Sequence, residues 1–185
     1  MKLLIVTTFF ALTVLSCQQY DSSKSSLMEP ASASATPPAK PDVPNVTAPE
    51  NLKQALLEAL ADERRAHATY KAVIDKFGNP RPFSNIVKAE ARHESFLLEL
   101  FVKYGFEVPE NQFSGKSIAV SATVTENCAM AVEGEKANIA MYDRLLTSVS
   151  ESDVKDTFIY LRNASKDNHL PAFERCSQGG RGPRS

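Results

Sequence analysis

The residues best suited to chemistry in this chain are glutamates and histidines at helical spacing. Glu90 and His93 lie three apart, so on a helix they share a face and can grip one ion. Glu63 and Glu135 each precede a tyrosine by seven residues, in Glu63-Arg-Arg-Ala-His-Ala-Thr-Tyr70 and Glu135-Lys-Ala-Asn-Ile-Ala-Met-Tyr142. His169 closes the string Lys166-Asp-Asn-His169. A Glu from each of two helices plus a Glu-x-x-His from each of two others builds a di-iron or di-manganese site in a bundle core. Glu63, Glu90, His93, Glu135 and His169 are therefore the candidate ligands. Tyr70 and Tyr142 lie two turns further on, placed to hydrogen-bond the ligands or to fill the core. A plainer reading stands beside this one: solvated glutamates, and a His93 bonded to a backbone carbonyl.

The set departs from the recipe at one place. Lys166 stands where the second Glu-x-x-His needs its glutamate, and an ammonium there opposes a pair of cations at short range. It would instead neutralise leftover carboxylates beside the site. Asp167 points to the opposite side of a regular helix, and Ser165, on a compatible face, is a weak ligand. Pro171 frees a carbonyl and can kink or widen the turn, and a fourth helix so distorted can rotate Asp167 inward. One ion, a labile second ion and an altered site all remain open. His67, one turn after Glu63, is a sixth ligand, a supporting residue or a surface residue.

Four helices must position these groups. Thr47-Ala48-Pro49-Glu50 has the form of a capping box with a first-turn proline. Apolar residues then recur at helical period from Leu52 to Ile74, ending at Gly78. After Asn79-Pro80-Arg81-Pro82, a second helix is expected from about Ser84 to Gly105. Residues 106–121 form a longer connection with Pro109 and Gly115. Thr123-x-x-Glu126 opens a third helix and Ser150-x-x-Asp153 a fourth. The two helix pairs echo each other, with 72 residues between Glu63 and Glu135 and 76 between His93 and His169. Short links within pairs and a longer one between them predict an all-α four-helix bundle with one crossover connection.

In these strings, with Phe83-Ser-Asn-Ile-Val-Lys-Ala-Glu-Ala-Arg-His93 and Ala164-Ser-Lys-Asp-Asn-His-Leu-Pro-Ala-Phe173, the chain resembles ferritin-like proteins. In detail it is similar to a bacterial group filed as domain of unknown function 2202 (DUF2202). The resemblance implies a ferritin-like bundle over residues 47–177 and a metal-type site holding iron or another divalent transition metal, one ion or two. It implies no established activity. Ferrous-iron oxidation, peroxide removal and metal holding without turnover are the candidate functions, against a structural or interaction domain with a vestigial site. No nucleophile motif suggests a hydrolase.

The cysteines test this alignment. Cys128 is seven residues before Glu135 and Cys176 seven after His169. If Glu135 and His169 meet on antiparallel helices, both sulfurs lie about 10 Å further along the same end. A Cys128–Cys176 disulfide is expected there, where the first pair has Leu56 and Leu100.

The third cysteine, Cys17, follows Met1-Lys2 and a short apolar run, too short for a membrane span. Val14-Leu15-Ser16-Cys17 resembles a bacterial lipobox; the alternative is an ordinary cleaved signal. Residues 1–16 are thus expected to be a signal peptide. Residues 17–46, rich in Ser, Ala and Pro, form a disordered tether anchored to the membrane by a lipid on Cys17, and 178–185 a disordered tail. This places the domain outside the cytoplasm in a bacterial envelope, periplasmic or on the outer membrane. With 21 Lys and Arg against 22 Asp and Glu, the chain offers no footprint for nucleic acid. Homodimerisation and protein partners are left open.

Overall fold

The computed structural model describes residues 50–180. The expected signal, the lipidation site Cys17, the tether, the Thr47 capping box and tail residues 181–185 lie outside them. Apolar residues at three- and four-residue spacing produce α1 (Glu50–Phe77), α2 (Phe83–Lys103), α3 (Val124–Ser148) and α4 (Ser152–Ala164). A π-turn (Ser165–His169) then leads into α5 (Leu170–Ser177), so the fourth arm of the bundle is one interrupted helix. Among the described residues there is no strand, and no helix is long and apolar enough to cross a membrane.

The termini follow local chemistry. Gly78 leaves α1 at φ 72°, a left-handed conformation that glycine adopts without Cβ strain. Thr123 and Glu126 cap α3 reciprocally: the Thr123 hydroxyl accepts from the Glu126 N–H at 3.2 Å, and the Glu126 carboxylate accepts from the Thr123 N–H at 3.0 Å. The expected Ser150 cap of the fourth helix does not form. Glu151 is the N-cap residue and makes no side-chain cap bond; its carboxylate accepts from the Ser150 N–H at 2.9 Å instead.

Two apolar clusters occupy opposite ends of the bundle. One gathers Leu52–Leu60 of α1, Leu97–Phe101 of α2, Met141–Leu145 of α3 and Val154–Leu161 of α4. The other gathers Tyr70 and Val73, Phe83 and Ile86, Cys128–Val132, and Phe173. Along every arm the candidate ligands fall between the two clusters. The order in which each arm meets them fixes its direction: α1 and α4 run one way, α2 and α3 the other. α1 packs on α2 and α3, and α4 on α2 and α3, so all neighbours are antiparallel. Parallel α2 and α3 require residues 104–123 to travel back along the bundle.

That connection is fastened along α1. Phe106 packs on the first cluster and Val120 on the second. Between them the buried Arg64 donates to the Pro109 carbonyl at 2.8 Å and pairs with Glu94 at 2.7 Å. Near the far end Lys76 donates to the Ser121 carbonyl at 2.9 Å. Long segments without regular structure are uncommon in small domains unless they serve a function. This one covers the groove beside the candidate ligands.

Candidate metal centre

Glu63, Glu90, His93, Glu135 and His169 come together in mid-bundle, each at most 4 % exposed. They form two overlapping sets, Glu63–Glu90–His93 and Glu90–Glu135–His169, in each of which one ligand atom per residue lies within 4.8 Å of the others. Glu90 belongs to both. Its Oε2 is 3.0 Å from His93 Nδ1 and its Oε1 is 3.1 Å from His169 Nδ1. Glu63 Oε2 is 3.1 Å from His93 Nδ1, and Glu135 Oε2 is 3.5 Å from His169 Nδ1. The two imidazoles stack with centroids 5.5 Å apart.

Buried carboxylates normally bond donors, and here the donors come crosswise from the opposite helix pair. The Tyr142 hydroxyl donates to Glu63 Oε1 at 2.6 Å, and the Tyr70 hydroxyl donates to Glu135 Oε1 at 2.6 Å. Asn138 Nδ2 donates to Glu63 Oε1 at 3.3 Å and to Asp62 at 2.9 Å. Glu63 and Glu135 thus each have one oxygen held by a neutral donor and the other turned toward an imidazole, while both oxygens of Glu90 face imidazoles.

The charges set the proton inventory. Burial pulls both imidazoles below their usual range, but the Glu63 and Glu90 carboxylates outweigh it and hold His93 up at about 9. Glu135 and Glu90 likewise hold His169 up at about 10. Burial raises Glu63. It would raise Glu90 too, but the two adjoining histidines bring that group below the usual carboxylate value. Burial and the adjoining carboxylates push both tyrosines well above the phenol range, so they stay protonated donors. The site therefore concentrates negative charge that draws cations, whether protons or metal.

Two observations test the residues against a metal. His169 Nδ1 is buried and, although 3.1 Å from Glu90 Oε1, is not aligned for a hydrogen bond. It lies instead within 4.8 Å of ligand atoms of both Glu90 and Glu135. The donor chemistry agrees, since imidazole with carboxylate suits iron, manganese and zinc. These groups can hold a metal ion.

Two expected supporting residues lie elsewhere. Lys166 is exposed, as is Asp167, while Ser165 is buried. The reason is the π-turn, closed by the Leu170 N–H bonding to the Ser165 carbonyl. An i→i+5 turn holds more residues than an α-turn, so the residue four before His169 shares its face and the residue three before is carried outward. Pro171, which lacks an N–H and clashes in a regular turn, accounts for the widening. The Lys166 ammonium therefore lies in solvent, and Ser165 is the buried residue one turn before His169. His67 lies in a surface groove with Lys71 and Lys116, away from the ligands.

The expected disulfide is present, Cys128–Cys176 with Cα atoms 5.8 Å apart; Leu56 and Leu100 are both buried in the apolar cluster at the other end. Phe173, between His169 and Cys176, packs on Tyr70 and Phe83 with centroids 5.0 and 4.9 Å apart. Asn138 is the residue the sequence reading missed. Its counterpart in the first pair is Ala66, so the repeat gave no signal for it.

No family model matches the chain, and no curated protein does. Among solved structures the chain is similar to a hypothetical protein from Methanococcus jannaschii, with a TM-score of 0.64, 20 % identity, 82 % of this chain and 91 % of that chain covered. That likeness concerns the fold.

Proposed function

We propose that this domain is a ferritin-like metal-binding protein, of the kind filed as DUF2202, serving iron–oxygen redox chemistry or metal handling in a bacterial envelope. The observation that carries the reading is Glu90, whose two oxygens face two histidines in two buried ligand sets. Glu90 would bridge, Glu63 with His93 would complete one site, and Glu135 with His169 the other. Three carboxylates offset most of the charge of two divalent ions. A redox-active ion there supplies one-electron chemistry toward oxygen or peroxide. The tyrosines and Asn138 fix the carboxylates, and the apolar clusters on both sides keep bulk water out. An exported, lipid-anchored setting at Cys17 is supported by the apolar leader and by the disulfide, a bond common in oxidising compartments.

Metal analysis tests this. The purified protein should retain iron, manganese or zinc in stoichiometric amount after incubation and desalting, and Glu90→Ala/His93→Ala should lose it. If wild type retains none of these ions, nor copper, the centre is a structural polar layer. Oxygen-dependent oxidation of added ferrous iron, lost in the same variant, separates turnover from holding.

A further inference from the structure

A cavity of about 300 Å³ lies between α1, α3 and the connection that covers them. Its lining passes from exposed Arg65, Ala119 and Met130 to buried Tyr70, Glu90 and Glu135. It is therefore a passage from solvent to the side of the centre built on Glu90, Glu135 and His169. Between the two ends the wall is mostly alkyl and aromatic, with Ala66, Val73, Phe83, Val120 and Ala131 beside Thr69 and Asn127.

We propose that this cavity binds a small, neutral, predominantly apolar organic molecule and presents it to that side of the centre. Size supports the assignment: an apolar cavity of about 150 Å³ holds benzene, so this one has room for roughly two fused rings or a short alkyl chain. Chemistry separates such a molecule from a ferrous ion. A hydrated ion sheds water only onto oxygen or nitrogen ligands, and this wall offers few: the Thr69 hydroxyl, and an Asn127 amide already bonded to Ser121 and Thr123. Of the charged groups in the lining, Glu90 and Glu135 belong to the centre, and the other two, Arg65 and Asp62, are paired with each other. The inner end is polar. Asn138 lines the cavity, and its Oδ1 is buried without a partner while its Nδ2 is engaged. Gly134 completes the case: a Cβ built there meets nothing within 4 Å, so the helix carries its smallest residue where the lining stands open. The proposal rests on the metal-centre reading for what is done to the molecule, and not for its binding.

The test uses the full chain, with indole and toluene as probes, followed by calorimetry and protein-observed NMR. Wild type should bind at least one probe saturably. Gly134→Leu, which fills the cavity, should weaken that affinity by about tenfold or more, and Gly134→Ala by less. Ala66→Leu on the facing wall should match Gly134→Leu, so a folding defect in one variant leaves the other to decide. Circular dichroism establishes which variants are native. Absence of saturable binding to both probes overturns the proposal, as does undiminished affinity in a native filled variant. A filled variant that instead slows cobalt(II) uptake, with no probe bound by wild type, makes the passage an ion route. Metal retained without probe binding sinks this inference alone, whereas probe binding without retained metal sinks only the metal reading.

Discussion

Tyr70, in the first helix pair, donates its hydroxyl hydrogen to Glu135 in the second at 2.6 Å. Tyr142 returns the bond to Glu63 at the same distance. The two halves of the repeat thus finish each other's ligands, and neither half holds its carboxylate unaided.

Tyr70→Phe and Tyr142→Phe should each leave a buried carboxylate oxygen short of a donor. A bond to a charged acceptor contributes about 1.5–3 kcal/mol, so chemical denaturation of either variant should show a loss of that order. Metal affinity, read by chelator competition, should fall by about 10- to 100-fold. Asn138→Leu should resemble Tyr142→Phe more than Tyr70→Phe, because Asn138 bonds Glu63.

The metal-free protein should lose stability in alkali. His93 and His169 are held up at about 9 and about 10, above the unfolded histidine near 6.5. A group raised in the folded state contributes fully below its unfolded value and loses that contribution as pH rises through the folded one. Melting in chelator should therefore show a midpoint that declines from near pH 6.5 and goes on declining over the alkaline range up to about pH 10. Metal binding displaces these same protons, so proton release on titration with manganese or zinc should be detectable at pH 7–8. A melting midpoint flat over that alkaline range would disprove the histidine–carboxylate pairing.

Reducing the Cys128–Cys176 bond, or replacing both cysteines with alanine, should cost about 2–4 kcal/mol. The loss should be uneven. α5 is short and carries Phe173 and Cys176 just beyond His169, so hydrogen exchange should rise there first; in metal-loaded protein, retention at Glu135 and His169 should fall before retention at Glu63 and His93.

Lys166→Glu should leave metal stoichiometry and affinity unchanged, because that side chain is exposed. Ser165→Asp places a carboxylate where the fourth arm has a buried hydroxyl and should tighten the second ion, measured by competition with a chromogenic chelator. A strong effect at Lys166 with none at Ser165 would restore the regular-helix reading of that segment.

Much of this site was legible from spacing alone. Glu90 and His93 share a face at three residues, and the echo of Glu63 in Glu135 located the remaining carboxylates. The cysteines, equidistant from ligands on two helices, fixed the pairing. What could not be read depended on facts with no local signature. The crossed tyrosine bonds follow from the antiparallel contact of α1 with α3. Asn138 has only Ala66 as its echo. Ser165 takes the place assigned to Lys166 because the turn is wide, and Pro171 announced a distortion without stating its sense. Nothing local marks Arg64 as buried, because the connection whose Pro109 carbonyl it bonds belongs to a distant part of the sequence.

The wide turn also gives the disulfide a second meaning. Removing one residue between Ser165 and His169 would rotate α5 by about 100° relative to α4, turning Cys176 away from Cys128 and Phe173 away from the aromatic pair. The sulfurs can meet only when the arm has been wound with its extra residue in place. The Cys128–Cys176 bond and the inward face of His169 therefore require the same winding of the fourth arm.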